Sequence, residues 1–301
     1  MAEDQGVNGD IWNNEATKLL LACGWQSVGD SNMDIINEYD KKQGIDRIFT
    51  FNDDRRKPGM PQTVLVEAKC YKTSSFSKAN FQKWLQTLND KITDSKHSND
   101  FQDRFPSLKR TMIRNGLIVI WFSNLTEYET YRPSFESYKL EVRSPHRKNR
   151  SPNNIYVIDN YDILRLASVV TTIKQFNADM QTRLNYFYPS SENFGHAIAR
   201  NSYLTLDYMF SKIILLEAQV QCIENRVVFY FGELTTQCFH RLKGLLISVS
   251  FIDKDKPLFI YTYKRDQEFR KIKPDVNSLF SEVTFQLREM DVYGDLPSFM
   301  K

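Results

Sequence analysis

Thr63-Val64-Leu65-Val66-Glu67-Ala68-Lys69-Cys70-Tyr71 is a run of β-branched and apolar residues carrying two charges, and it predicts a strand. Side chains alternate across a strand, so Glu67 and Lys69 share one face while Val66 and Ala68 share the other. Charged groups inside an apolar strand are costly unless they find partners. Just upstream, Gly44 leads into a second predicted strand, Ile45–Phe51. The segment between them, Asn52–Gln62, holds Pro58, Gly59 and Pro61 and reads as a hairpin connection. Hairpin pairing would bring the Asp46 carboxylate beside Glu67.

Further out, Ile11–Cys23 has apolar residues at helical spacing, with Gly24 as a stop and a short extended piece at Trp25–Val28. Asn80–Ile92 repeats the helical pattern through Phe81, Trp84, Leu85, Leu88 and Ile92. Leu117–Phe122 is a continuous apolar run expected to be a central strand covered on both faces. Ile155–Ile158 predicts another strand and Tyr161–Phe176 a helix. This order describes a mixed α/β layer fold. The pattern changes from about residue 181. Ser202–Gln221 is expected to be a helix, Arg226–Phe231 a strand, and Glu233–Lys243 a helix. Leu245–Ile252 with Leu258–Lys264 is expected to form a strand pair, and Val276–Met290 a last helix. The expected division is a first domain over 1–178 and a C-terminal α/β region over 179–301.

Two carboxylates beside a lysine suit phosphodiester hydrolysis. Asp46 and Glu67 would hold a hard divalent cation, which takes oxygen ligands, polarises the phosphoryl oxygen and acidifies a water. Lys69 would orient or help deprotonate that water and offset charge on the phosphorane. The backbone carbonyl of Ala68 is a further oxygen donor on the same strand. The competing reading of Glu67 and Lys69 is a cross-strand ion pair on a solvated face. Val64, Leu65 and Val66 argue for a buried strand instead.

Asp46, a loop, then Glu67-Ala68-Lys69 on the next strand resembles the PD-(D/E)XK, restriction-endonuclease-like nuclease superfamily. The helix followed by Gly24-Trp25 is similar as well, although Ile45 stands where the superfamily name has a proline. The resemblance covers roughly residues 10–122 and continues through the strand and helix up to 176. It implies a restriction-endonuclease-like fold with a mixed sheet flanked by helices, a Mg²⁺ or Mn²⁺ cofactor and cleavage of DNA. It also implies Glu15 as an additional acidic ligand from the N-terminal helix, and Gln82 or Gln86 as an auxiliary residue. A nuclease joined to a partner-binding or dimerising region is similar to effectors of bacterial anti-phage defence. Two alternatives stay open: a catalytically silent subunit that binds nucleic acid or scaffolds a complex, and a nuclease for RNA such as tRNA.

The bulk composition agrees with a folded protein that meets nucleic acid. Of 301 residues, 41% are hydrophobic and 13% aromatic, enough for a substantial core, and the formal net charge is +3. Arg55, Arg56 and Lys57, at the tip of the predicted hairpin, are candidates to grip phosphates, as are Arg147, Lys148 and Arg150 in a polar loop. The four cysteines form no CxxC pair and the four histidines are scattered, which argues for reduced thiols and against a zinc site. The acidic N-terminus is unlike a targeting peptide, and no apolar run is long enough to span a bilayer. A cytoplasmic location without membrane contact is the expectation.

Overall fold

The structure is a computed structural model describing residues 7–52, 61–108, 113–141, 153–177, 183–189, 199–220, 223–263 and 267–301. Two compact units divide it. One gathers the described residues up to Ile163 together with Gly294–Lys301, and the other those of Leu164–Tyr293.

In chain order the first unit contains α1 (Val7–Ala22), β1 (Gln26–Val28), β2 (Met33–Ile36), β3 (Lys42–Ile45), β4 (Arg47–Asn52) and β5 (Pro61–Tyr71). These are followed by α2 (Lys78–His97), α3 (Asn99–Arg104), β6 (Ile113–Phe122), α4 (Leu125–Glu141), β7 (Asn154–Ile158) and the start of α5 (Asn160–Asn177). Five strands form a sheet in the order β1-β4-β5-β6-β7. The pairs β1/β4 and β4/β5 are antiparallel, whereas β5/β6 and β6/β7 are parallel, so the sheet is mixed as expected.

Alternation along the strands separates the two faces. Ile48, Leu65, Ile118, Ile120 and Phe122 pack in one core with Phe81, Trp84, Leu85, Leu88 and Ile92 of α2. On the other face α1 is anchored by Trp12, whose ring stacks on Trp121 at 5.6 Å and whose Nε1–H donates to the Val119 carbonyl at 3.1 Å. α2 starts where it does because the Ser77 hydroxyl accepts the Asn80 N–H, an N-cap that sets the helix against the sheet. The hairpin β2-β3 contributes Met33, Ile35 and Ile45 to the α2-side core. Helix α4 has no counterpart among the expected elements, because Pro133 lies inside it and interrupts the helical pattern.

The second unit holds β8 (Arg183–Tyr188), β9 (Ala199–Asn201), α6 (Leu206–Met209), β10 (Ile213–Val220) and β11 (Ile223–Tyr230). It continues with α7 (Thr236–Ser248), β12 (Leu258–Thr262), α8 (Gln267–Leu279) and β13 (Phe285–Glu289). Its six-stranded sheet runs β13-β12-β11-β10-β8-β9, and α7 and α8 share a core with it. Three expectations are corrected here. Ser202–Gln221 is not one helix but α6 and the central strand β10, whose unbroken buried run Ile214–Ala218 reads equally well as either element. Leu245–Ile252 is no strand, since Leu245–Ser248 ends α7, which buries Phe239, Leu242 and Leu246 at helical spacing. Val276–Met290 splits into the end of α8 and the edge strand β13. Cys23, Cys70 and Cys238 are free thiols, and Cys222 lies outside the described residues. Among the described residues no helix is long and apolar enough to cross a membrane.

Candidate active site

Antiparallel pairing of Arg47 with Val66 sets the entry of β4 beside the middle of β5, which brings Asp46 next to Glu67. The Ala68 N–H donates to Asp46 Oδ2 at 3.0 Å. In an extended strand the N–H and C=O of one residue point to the same edge, so the Ala68 carbonyl also faces the Asp46 side. Glu67 is 4% exposed. Its two oxygens are taken by two lysines: Lys69 Nζ lies 3.3 Å from Oε2, and Lys91 Nζ, from α2, donates to Oε1. Burial pushes the Asp46 carboxyl above the usual carboxylate range, and the neighbouring Glu67 charge adds to the effect. Lys69, Lys91 and the Ala68 N–H pull it the other way.

The Asp46 backbone is held from α1. Its carbonyl accepts the Asn32 N–H at 3.0 Å, and Asn32 adopts φ 52°, a left-handed conformation that asparagine tolerates. The Asn32 side chain is clamped in turn: its Nδ2 donates to Asp10 at 2.8 Å, and its Oδ1 accepts from Asn13 at 3.0 Å. Glu15 is also on α1, yet its charged neighbours are Lys18, Lys301 and Asp295. Glu67 shares its face with Leu65 and therefore lies on the α2 side, whereas α1 covers the opposite face. The structure thus assembles Asp46, Glu67, Lys69 and Ala68 but does not bring Glu15 to them.

Gln82 and Gln86 sit on the exposed face of α2, where Gln86 donates to Asp90 Oδ1 at 2.7 Å. The residue that α2 does send to the site is Lys91, which sequence reasoning missed. Its signal was there: it directly precedes the buried Ile92 and stands three residues after the buried Leu88, at the margin of the apolar face. Arg55, Arg56, Lys57, Arg147, Lys148 and Arg150 lie outside the described residues.

Among the described residues no three His, Cys, Asp or Glu side chains gather into a metal cluster. The oxygen donors here are two carboxylates and a carbonyl. Mg²⁺ commonly takes only one or two carboxylates and keeps several waters, so this donor set fits a hard divalent cation. Desolvation raises Asp46 most, and the Glu67 charge that adds to the rise is what such a cation offsets.

Comparison with known families places this geometry in context. A family model described as the GAPS4 protein PD-(D/E)XK nuclease domain matches residues 1–162. Among curated proteins nothing matches the chain.

Proposed function

The chain belongs to the GAPS4 PD-(D/E)XK nuclease family, and on that premise we propose that it is a Mg²⁺-dependent endonuclease that cleaves DNA with Asp46, Glu67 and Lys69. The observation carrying this reading is the convergence of the Asp46 and Glu67 carboxylates with Lys69 on one edge of β5. A buried carboxylate between two lysines adds little net stability, because desolvation offsets the attraction, so a structural purpose accounts poorly for it.

Asp46, Glu67 and the Ala68 carbonyl would hold the cation, with Mn²⁺ able to replace Mg²⁺. When bound, the ion neutralises phosphoryl charge and makes a water more acidic. Lys69 orients the attacking water and offsets negative charge as the phosphorane forms. Asn32 keeps the Asp46 backbone in register, and burial around Glu67 strengthens each of these interactions by excluding solvent. The basic segments 55–57 and 147–150 would bind backbone phosphates irrespective of sequence.

The family match ends at residue 162, whereas the chain continues into a unit with its own core. We read that unit as the region that binds a partner protein or a second copy, in a cytoplasmic effector of anti-phage defence. Incubating the full chain with plasmid DNA and with total tRNA, each with and without Mg²⁺, tests the substrate assignment. Nicked or linear plasmid appearing only with metal supports it; cleavage of tRNA with intact plasmid refutes DNA as the substrate.

A further inference from the structure

Lys91 reaches the site from a different element than the motif residues, and its position is fixed by packing rather than by the strand. Leu88 and Ile92 flank it on α2 and press on Gly116 of β6, so closely that a Cβ there would meet them at 2.7 and 2.8 Å. Both side chains are fully buried, so their burial holds the helix at this close approach, and the Lys91 ammonium is delivered to Glu67 Oε1 while Lys69 occupies Oε2. The two lysine side chains are 12% and 19% exposed. Both are withdrawn from solvent and both are charged partners of one carboxylate.

One lysine suffices as a counter-ion for one carboxylate. Asp46, Glu67, Lys69 and Lys91 together form a set of two negative and two positive charges. Such a set is neutral before anything binds. A divalent cation arriving with a phosphodiester anion and a hydroxide equivalent keeps the total at zero, so the transition state is accommodated without uncompensated charge in a low-dielectric site. Without Lys91 the same assembly would carry one excess negative charge.

We propose that Lys91 is a second catalytic lysine, which moves from Glu67 to a non-bridging oxygen of the scissile phosphate when Glu67 turns to the cation. The inference rests on the nuclease reading above. In the step it assists, the water oxygen forms a bond to phosphorus and the bond to the leaving oxygen breaks. The proton the water gives up and the proton the leaving oxygen gains both exchange with solvent. Lys91 itself stays protonated and stabilises the charge that develops between those two events.

The test uses the full-length chain, wild type against Lys91→Met, Lys91→Arg and Glu67→Ala. Plasmid cleavage is measured over a range of DNA concentrations at saturating Mg²⁺. Mn²⁺ binding without DNA is followed by electron paramagnetic resonance. Loss of a transition-state donor should lower kcat of Lys91→Met about 100-fold while KM changes little. Mn²⁺ should bind at least as tightly as to wild type, because Glu67 Oε1 has been freed. Lys91→Arg should recover part of the lost rate. A Lys91→Met enzyme with near wild-type kcat overturns the proposal. So does loss of Mn²⁺ binding in step with rate, which would make Lys91 merely a support for Glu67. Glu67→Ala keeps the two questions apart: if that variant cleaves like wild type, the site itself is wrong, whatever Lys91 does.

Discussion

Asp46 is a half-buried carboxylate whose pKa is raised first by desolvation and then by the Glu67 charge beside it, and it is held by the Ala68 N–H. Its two natural replacements should therefore behave differently. Asp46→Ala leaves that N–H without its acceptor and is expected to cost about 1–2 kcal/mol of stability. Asp46→Asn keeps an oxygen for the bond while removing a partly desolvated charge, and should be no less stable than wild type without metal, yet inactive. Denaturant titration of both variants in the presence of a chelator decides this, and equal destabilisation of the two would contradict it. At this scale the sequence was informative where strand alternation applied. Glu67 and Lys69 had to share a face, and a hairpin had to carry Asp46 to them. Glu15 and Lys91 both come from helices, whose choice of sheet face cannot be read from periodicity. Hence the acid assigned to the site sits with Lys18, Lys301 and Asp295, and the lysine that reaches it went unnoticed.

Among the elements, α2 and α1 each hold one side of the site in place. Gly116→Ala would drive a methyl group into Leu88 and Ile92 and push α2 outward. Overpacking of this kind is expected to cost about 1–3 kcal/mol and to lower cleavage by displacing Lys91 from Glu67. A variant that loses stability but retains full activity would show that α2 does not position the site. The α1 side is tested through Asn32. Asn32→Ala removes two side-chain bonds and places a less tolerant residue at positive φ, for an expected loss of about 2 kcal/mol. Asn32→Gly should regain the backbone part of that loss only; thermal unfolding that ranks glycine below alanine would argue against this account. Elements themselves were legible when amphipathic. Phe81 through Ile92 announced α2, and the run at Leu117–Phe122 marked the inner strand β6. Buried runs were ambiguous, as β10 illustrates: once both faces are covered, the period that separates strand from helix disappears.

For the molecule as a whole, the two compact units part in sequence between Ile163 and Leu164, inside α5, and Gly294–Lys301 joins the first unit. Nothing in the local pattern of that segment announces a return, since long-range contacts leave no periodic trace. Leu296 and Met300 are buried, and Lys18 donates to the Lys301 carbonyl. Removing 294–301 should thus destabilise the first unit by about 3 kcal/mol, the burial of two apolar side chains. A thermal melt of the truncated chain with an unchanged first transition would refute that attachment. Phosphate gripping by the basic segments belongs to this scale too: neutralising Arg147, Lys148 and Arg150 should weaken DNA binding and flatten its salt dependence by up to about three counterions. The central claim is that Asp46, Glu67 and Lys69 form a metal-dependent nuclease site. Its most direct test is plasmid cleavage by the purified chain with Mg²⁺ or Mn²⁺, comparing wild type with Glu67→Ala and Lys69→Ala. The account predicts cleavage by wild type that a chelator stops and that both substitutions abolish. Cleavage that persists in either variant, or that proceeds without metal, would contradict it.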